Sequence, residues 1–179
     1  MALKATVFKA RVQLSDMDRN VYLDHHLTLA RHPSETDLRM MLRLLAWGMY
    51  GDERLEFTRG LCADDEPELW QKSFSDEIEL WIDLGMPEES RVRKACGRAQ
   101  KVVVLAYGDR AVPVWWEKHQ GKFSRFDNLA VCFIPGDQAQ VLEAMAQRTM
   151  DLSVTLCDGE VSVGDGEHYV TVTPQWLKA

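Results

Sequence analysis

The sequence predicts an α/β protein built on a central mixed sheet flanked by helices, with additional antiparallel β-hairpins from its N- and C-terminal segments, and three observations predict it. Two short, nearly all-apolar runs, KVVVLAYG and NLAVCFIPG (128–136), read as strands covered on both faces. Helical segments near 110–120 and 137–148 alternate with them, and strand, helix, strand, helix implies a partly parallel core. Toward both ends of the chain, apolar and polar residues alternate instead, as they do in hairpins with one solvated face.

Residues 3–14 and 21–31 are the N-terminal strands. Phe8, Ala10, Val12 and Leu14 share one face of the first, and Val21, Leu23, Leu27 and Leu29 one face of the second, with SDMDRN as the turn. From Ser34 to about Tyr50, Leu38, Met41, Leu42, Leu45 and Met49 recur at helical spacing after Pro33 and an N-cap signature at Ser34 and Asp37. A second helix starts at Pro87 with Glu88 and Glu89 and runs to about Arg98. The tail returns to hairpins: DLSVTL, the turn Asp158-Gly159, EVSV, a turn from Gly164 to Gly166, and HYVTVT.

A chain of 179 residues with no linker or repeat is most simply one domain, residues 1–179. The net charge of −7 argues against nonspecific binding of nucleic acid or anionic membrane by the whole surface, and leaves room for a local basic face. Cys62, Cys96, Cys132 and Cys157 are far apart, lack metal-ligand spacing and sit in mainly apolar neighbourhoods, so they read as buried thiols of a reducing cytosol. No signal-peptide core or membrane-length apolar run occurs, and a cytoplasmic protein is expected.

The informative stretch is PELWQKSFSDEIELWIDLG (67–85), two alternating strands around a turn at Phe74–Glu77. A symmetric turn sets Lys72 opposite Glu79, Trp70 opposite Trp81, and Glu68 opposite Asp83. Like charges facing each other are destabilising, so the last pair calls for a cation. In the second strand Ile78, Leu80, Ile82 and Leu84 form the apolar face, which leaves the acids on the wet side, although Trp70 and Trp81 there suggest partial cover. Glu35 lies on the apolar stripe of the first helix, where it is either a core-facing acid in need of a partner or a first-turn acid favoured by the helix dipole. On the second helix Arg91, Lys94 and Arg98 form a basic face opposite Val92, Ala95, Cys96 and Ala99, so Lys94 is placed to return toward the acids. Glu35, Glu68, Asp83 and Lys94 suit magnesium or manganese, with the lysine orienting or deprotonating an attacking water. His25 and His26 point to opposite faces of a strand and cannot share a metal, and Trp115 with Trp116 reads as packing.

RHPSETDLRMMLRLLAWGMY, DERLEFTRGLCADDEPELW and IELWIDLGMPEESRVRKAC closely resemble motifs of the YaeQ family, and the likeness extends from MALKAT to the end of the chain. The resemblance implies a variant of the PD-(D/E)XK nuclease-like fold, a mixed sheet carrying an acidic hairpin beside a helix with a further acid. By position, Pro67 and Glu68 look like the PD element, Asp83 like the second acid and Glu35 like the acid of the first core helix. Gly85 stands where the lysine is expected, and Lys94 resembles a lysine migrated to the following helix, with Arg91 as its substitute.

Three functions follow as expectations. One is a Mg²⁺- or Mn²⁺-dependent nuclease with Glu68 and Asp83 as metal ligands and Glu35 and Lys94 as catalytic groups. Another is a noncatalytic adaptor on a degenerate nuclease-like scaffold, binding nucleic acid or an acidic partner through Arg91, Lys94 and Arg98. In the third the acids are structural, with Glu68 partnered by Arg31, Arg39 or Lys94. Metal dependence separates the first from the others.

Overall fold

The computed structural model describes residues 4–59 and 65–179, a mixed α+β chain with eleven strands in two mixed sheets and four helices among them. In chain order these are β1 (Thr6–Asp16), β2 (Val21–Arg31), α1 (Asp37–Met49), β3 (Leu55–Phe57), β4 (Leu69–Lys72), β5 (Ile78–Leu84), α2 (Glu89–Arg98), β6 (Ala99–Tyr107), α3 (Ala111–Phe123), β7 (Leu129–Ile134), α4 (Gly136–Ala144), β8 (Thr149–Cys157), β9 (Glu160–Gly164), β10 (Tyr169–Val172) and β11 (Gln175–Lys178). Two compact units divide the chain: Met1–Glu53 with Asp137–Thr173, and Arg54–Gly136 with Pro174–Ala179. No helix among the described residues is long and apolar enough to cross a membrane.

The first unit holds a five-stranded sheet in the order β10-β9-β8-β1-β2. The terminal hairpins therefore do not decorate the central sheet; they join into a sheet of their own, because β1 pairs in parallel with β8 from Lys9–Thr149 to Asp16–Leu156. The alternation sets their faces as expected, with Phe8, Ala10, Val12, Leu14, Leu27 and Leu29 buried. His25 and His26 do point to opposite sides: His25 stacks on Trp47 of α1 at 5.4 Å, and His26 is exposed. A Cβ at Gly48 would come within 3.1 Å of Val154 Cγ1, so glycine lets α1 approach β8 closely. The helix is buried along its whole run from Met40 to Met49.

Its N-cap differs from the expected Ser34. Thr36 caps it, its hydroxyl accepting from the Arg39 amide at 3.1 Å, while Ser34 pairs with His32 Nδ1 at 2.7 Å. Glu35 thus precedes the helix, in a turn where its amide donates to the His32 carbonyl at 2.8 Å.

The second unit holds the six-stranded sheet β11-β7-β6-β5-β4-β3. Strands β5, β6 and β7 are parallel, joined by α2 and α3 as the apolar runs predict. Both helices share one core with the sheet, where Val92 and Ala95 of α2 and Val112, Trp115 and Phe123 of α3 meet Trp81, Val102, Val104 and Val131. Trp115 is packing as expected, and its indole N–H donates to the Pro87 carbonyl at 3.1 Å. The short edge strands β3 and β11 escaped the sequence, since three or four residues are too few to show a period.

The hairpin keeps the symmetric register over Leu69–Ile82, Trp70–Trp81 and Gln71–Leu80, then slips, so that Lys72 faces Ile78 and not Glu79. The turn causes it. Asp76 adopts the left-handed region at φ 68°, and the Ser73 hydroxyl accepts from the amides of Ser75 and Glu77, which draws one residue out of the second strand. Lys72 turns to Asp76 (3.6 Å) and to the face of Trp70 (4.0 Å). Glu79 is held below the usual carboxylate range by the Gln71 amide at 2.9 Å and then by the Arg54 guanidinium.

Of the cysteines, Cys132 is buried, Cys96 half-buried and Cys157 exposed, so the expectation of buried thiols fails at Cys157; Cys62 lies outside the described residues. Burial pushes the Cys96 thiol up to about 11 and that of Cys132 to about 12. Under alkylation followed by peptide mass spectrometry, Cys157 is expected to react in the native protein and Cys132 only after unfolding. Native reaction of Cys132 as fast as Cys157 would contradict this packing.

Candidate functional site

Asp83 sits near the end of β5, the third strand from one edge of the six-stranded sheet, and is only 3% exposed. The face expected to be wet is in fact covered, because α2 packs over it: Trp81, one rung before Asp83, belongs to the α2–α3 core. A buried carboxylate needs compensation. It comes from Arg91, in the first turn of α2, whose Nε and Nη2 donate to both Asp83 oxygens at 3.0 Å each. Arg91 Nη2 also donates to the Glu66 carbonyl at 2.8 Å, which ties α2 to the segment leading into β4. The residue read as a substitute is thus the one that reaches the acid, and Lys94, expected to return to it, is exposed. Helical periodicity puts Arg91 and Lys94 on one face, but only Arg91 lies at the depth of Asp83.

Glu68 is 6% exposed and immediately precedes β4. The ladder ends at Leu69–Ile82, and the Glu68 amide donates to the Ile82 carbonyl at 2.9 Å, so the expected Glu68–Asp83 pair lies one step past the last ladder partners.

Glu35, in the other unit, has its own partners. Arg43 reaches it through Nη2 at 2.5 Å and Nε at 3.1 Å, and Arg39 through Nη1 at 2.7 Å. Arg43 also donates to the Ala30 carbonyl of β2 at 3.2 Å. The sequence reading set Arg39 beside Glu68 and passed over Arg43; the signal it missed is their spacing, four and eight residues after Glu35. Of the two readings of Glu35, the partnered acid is the one observed.

The donor set speaks to a divalent ion. Magnesium takes near-octahedral oxygen coordination through one or two carboxylates plus water. Here both oxygens of Asp83 already accept from a guanidinium, and no group of three or more His, Cys, Asp or Glu side chains among the described residues is arranged to hold a metal. As the side chains stand, Arg91 fills the cation's place, and the site does not fit Mg²⁺ or Mn²⁺ until that arginine leaves.

Beside this ion pair, α2 and β5 border a cavity of about 540 Å³. Trp81, Ser90, Arg91, Lys94 and Arg98 line it. The Arg98 guanidinium lies over the Trp81 ring, 5.1 Å from its centroid, and donates to the Asp65 carbonyl at 2.7 Å. Arg93, also on the wall, is paired with Glu89 at 3.2 Å.

The family model described as "YaeQ protein" matches residues 1–174. The chain belongs to the YaeQ family. This YaeQ-family chain is 52% identical over 172 residues to "Uncharacterized protein YaeQ" of Escherichia coli K12, covering 96% of the chain and 95% of that protein, and 51% identical to its Salmonella typhi namesake over the same length. The crystal structure of YaeQ protein from Xanthomonas axonopodis pv. citri superposes with a TM-score of 0.95 at 49% identity, covering 98% of this chain and 99% of the other. That of YaeQ protein from Pseudomonas syringae gives 0.93 at 36% identity, with 98% and 97% covered. YaeQ membership thus goes with the mixed α+β architecture, two sheets and four helices among the described residues.

Proposed function

We propose that the chain binds nucleic acid through the cationic face of α2, on a degenerate scaffold of the PD-(D/E)XK nuclease type, and that it does so without a metal ion and without cleavage. The observation that carries this reading is the closure of Asp83 by Arg91: the acid that would hold a metal serves to anchor the helix instead. Gly85 supports it, since no side chain stands where the nuclease lysine would act. So does the exposure of Lys94 and Arg98 in a chain whose net charge is −7, because a local cationic face is the kind of region that suits phosphates when the whole surface does not.

Labelled single- and double-stranded DNA and RNA test it. Affinity is expected to be the same in EDTA and in Mg²⁺ and to fall with salt, and Lys94→Ala and Arg98→Ala are each expected to lower the slope of log affinity against log salt by about 1. Cleavage in Mg²⁺ or Mn²⁺ that disappears in Asp83→Ala would overturn it.

That outcome belongs to a second reading, a Mg²⁺- or Mn²⁺-dependent nuclease, favoured by the burial of two carboxylates, Glu68 and Asp83, at the same end of one strand pair. On it, Glu68 and Asp83 would hold the ion once Arg91 withdraws, the ion would supply charge neutralisation at the phosphodiester, and Lys94 would orient water. Glu35 keeps no catalytic part in this reading, since Arg39 and Arg43 share its carboxylate.

A further inference from the structure

We infer that β2 pairs with β2 of a second copy of the chain, antiparallel about a two-fold axis, so that two five-stranded sheets join into one of ten strands. The inference stands apart from the nucleic-acid reading above.

The sheet edges come first. Among the described residues the two sheets end in four edge strands, and three of these are short: β10 has four residues, β3 three, and β11 four with a slip in register between Trp176 and Lys178. Short or bulged edges are how native proteins avoid pairing with strangers. β2 is the exception. It has eleven residues, all in unbroken register with β1, and VYLDHHLTLAR holds no proline, glycine or lysine to spoil a further ladder. Its one charge short of the terminal Arg31 is Asp24, which Arg11 already meets at 2.7 Å, so it adds little repulsion toward an incoming strand.

Cover is uneven along the strand. On the inward face Leu27 and Leu29 are buried, whereas Val21, Leu23 and His25 are only half-buried, and Tyr22 beside them is 60% exposed. The first half of β2 therefore lacks what the second half has.

The occupant follows from the sequence of the strand, which is its own complement. When β2 meets itself antiparallel with His25 at the centre, Val21 faces Leu29 and Leu23 faces Leu27 on the inward side, so each half-covered apolar residue gains an apolar neighbour. On the outward side Tyr22 faces Thr28, and Asp24 faces His26, whose imidazole N–H can donate to the carboxylate. Neighbouring registers lose this match. Centred on Asp24, two carboxylates oppose each other; centred on His26, Val21 faces Arg31 and Asp24 loses the imidazole. The favoured ladder runs from Val21 to Leu29 in each copy and stops one residue short of Ala30, whose carbonyl already accepts from Arg43 Nη2 at 3.2 Å.

Sedimentation velocity of the full chain over a concentration series tests it. Strand pairing with these side chains lies near the small end of specific interfaces, so a dimer with Kd on the order of 10 μM is expected. His26→Asp sets carboxylates against each other at both symmetric pairs, while facing Arg11 within its own chain, and is expected to weaken the dimer roughly tenfold. Leu23→Lys, a guard at a half-covered edge position, is expected to abolish it. His26 is exposed, so its variant carries the test if Leu23→Lys fails to fold. Amide hydrogen exchange in β2 is expected to slow as the dimer forms, with β10 unchanged. A chain that stays monomeric up to roughly 100 μM would overturn the pairing and leave the edge to a strand of another protein. A dimer that His26→Asp does not weaken, or that forms with no slowing of exchange in β2, would overturn the assignment to this edge.

Discussion

Glu35→Ala is expected to destabilise the fold by about 4 kcal/mol, the cost of removing one partner from a buried ion pair. The side chain is 3% exposed and the Arg43 side chain 4%, so neither charge has water to fall back on. Removing the carboxylate also leaves the guanidinium groups of Arg39 and Arg43 close together without the anion they share. At a few degrees per kcal/mol for a chain of this size, the melting temperature should fall by about 10 °C, measured by circular dichroism or calorimetry. Glu35→Gln, which keeps the volume and one acceptor, should cost less. The sign carries the meaning. An acid retained for chemistry is commonly a burden on stability, and its removal raises the melting temperature; an unchanged or raised value for Glu35→Ala would contradict the structural role.

Arg91→Ala is the second large effect, about 3 kcal/mol, toward the low end for a buried pair because the Arg91 side chain is 31% exposed while that of Asp83 is 4% exposed. It also loses the bond to the Glu66 carbonyl. Arg91→Ala combined with Asp83→Asn should recover much of the loss, and the double-mutant cycle measures the coupling. A divalent ion adds a decisive arm. If Arg91 stands in for a cation, millimolar Mg²⁺ should raise the melting temperature of Arg91→Ala and leave the parent chain unmoved, since a ligand stabilises only the state that binds it. Stabilisation of the parent chain by Mg²⁺ would show that the ion displaces Arg91 unaided and would favour the nuclease reading.

Local pattern carried most of the elements. Alternation in β1 and β2 told inside from outside, the apolar runs marked β6 and β7, and the stripe from Leu38 to Met49 marked α1, each because the period of hydrophobicity is the period of the element. The hairpin partners Trp70 and Trp81 were legible for the same reason, and their rings do meet edge to face at 6.4 Å. Long-range pairing was not. No local signal says that β1 joins β8, because the two strands carry the same alternation as any pair of half-buried strands. The slip at Lys72 was hidden as well, since it depends on Asp76 taking a left-handed conformation that few sequence cues announce. At the site, position along the elements led to Glu35, Glu68, Asp83 and the basic face of α2, but did not say who neutralises whom. That is decided by depth along a helix axis, about 1.5 Å per residue, and the rise from Arg91 to Lys94 is enough to separate an ion pair from a solvated charge.

The parallel pairing of β1 with β8 has a kinetic side. Lys9 meets Thr149 only after the whole segment between them has been made, whereas β5, α2, β6, α3 and β7 follow one another along a continuous stretch. Closing so long a loop is an entropic cost that must be met before the strand contacts repay it. The six-stranded sheet can therefore begin to assemble from neighbours in sequence, while the five-stranded sheet has to wait. In the interval β1, made before β8, has a long edge with no partner, and the charged residues Lys9 and Arg11 on it are the kind that discourage pairing with a stranger. On this account the order of synthesis runs against the order of folding, and the N-terminal hairpin is the part of the chain most in need of protection while it waits for its last neighbour.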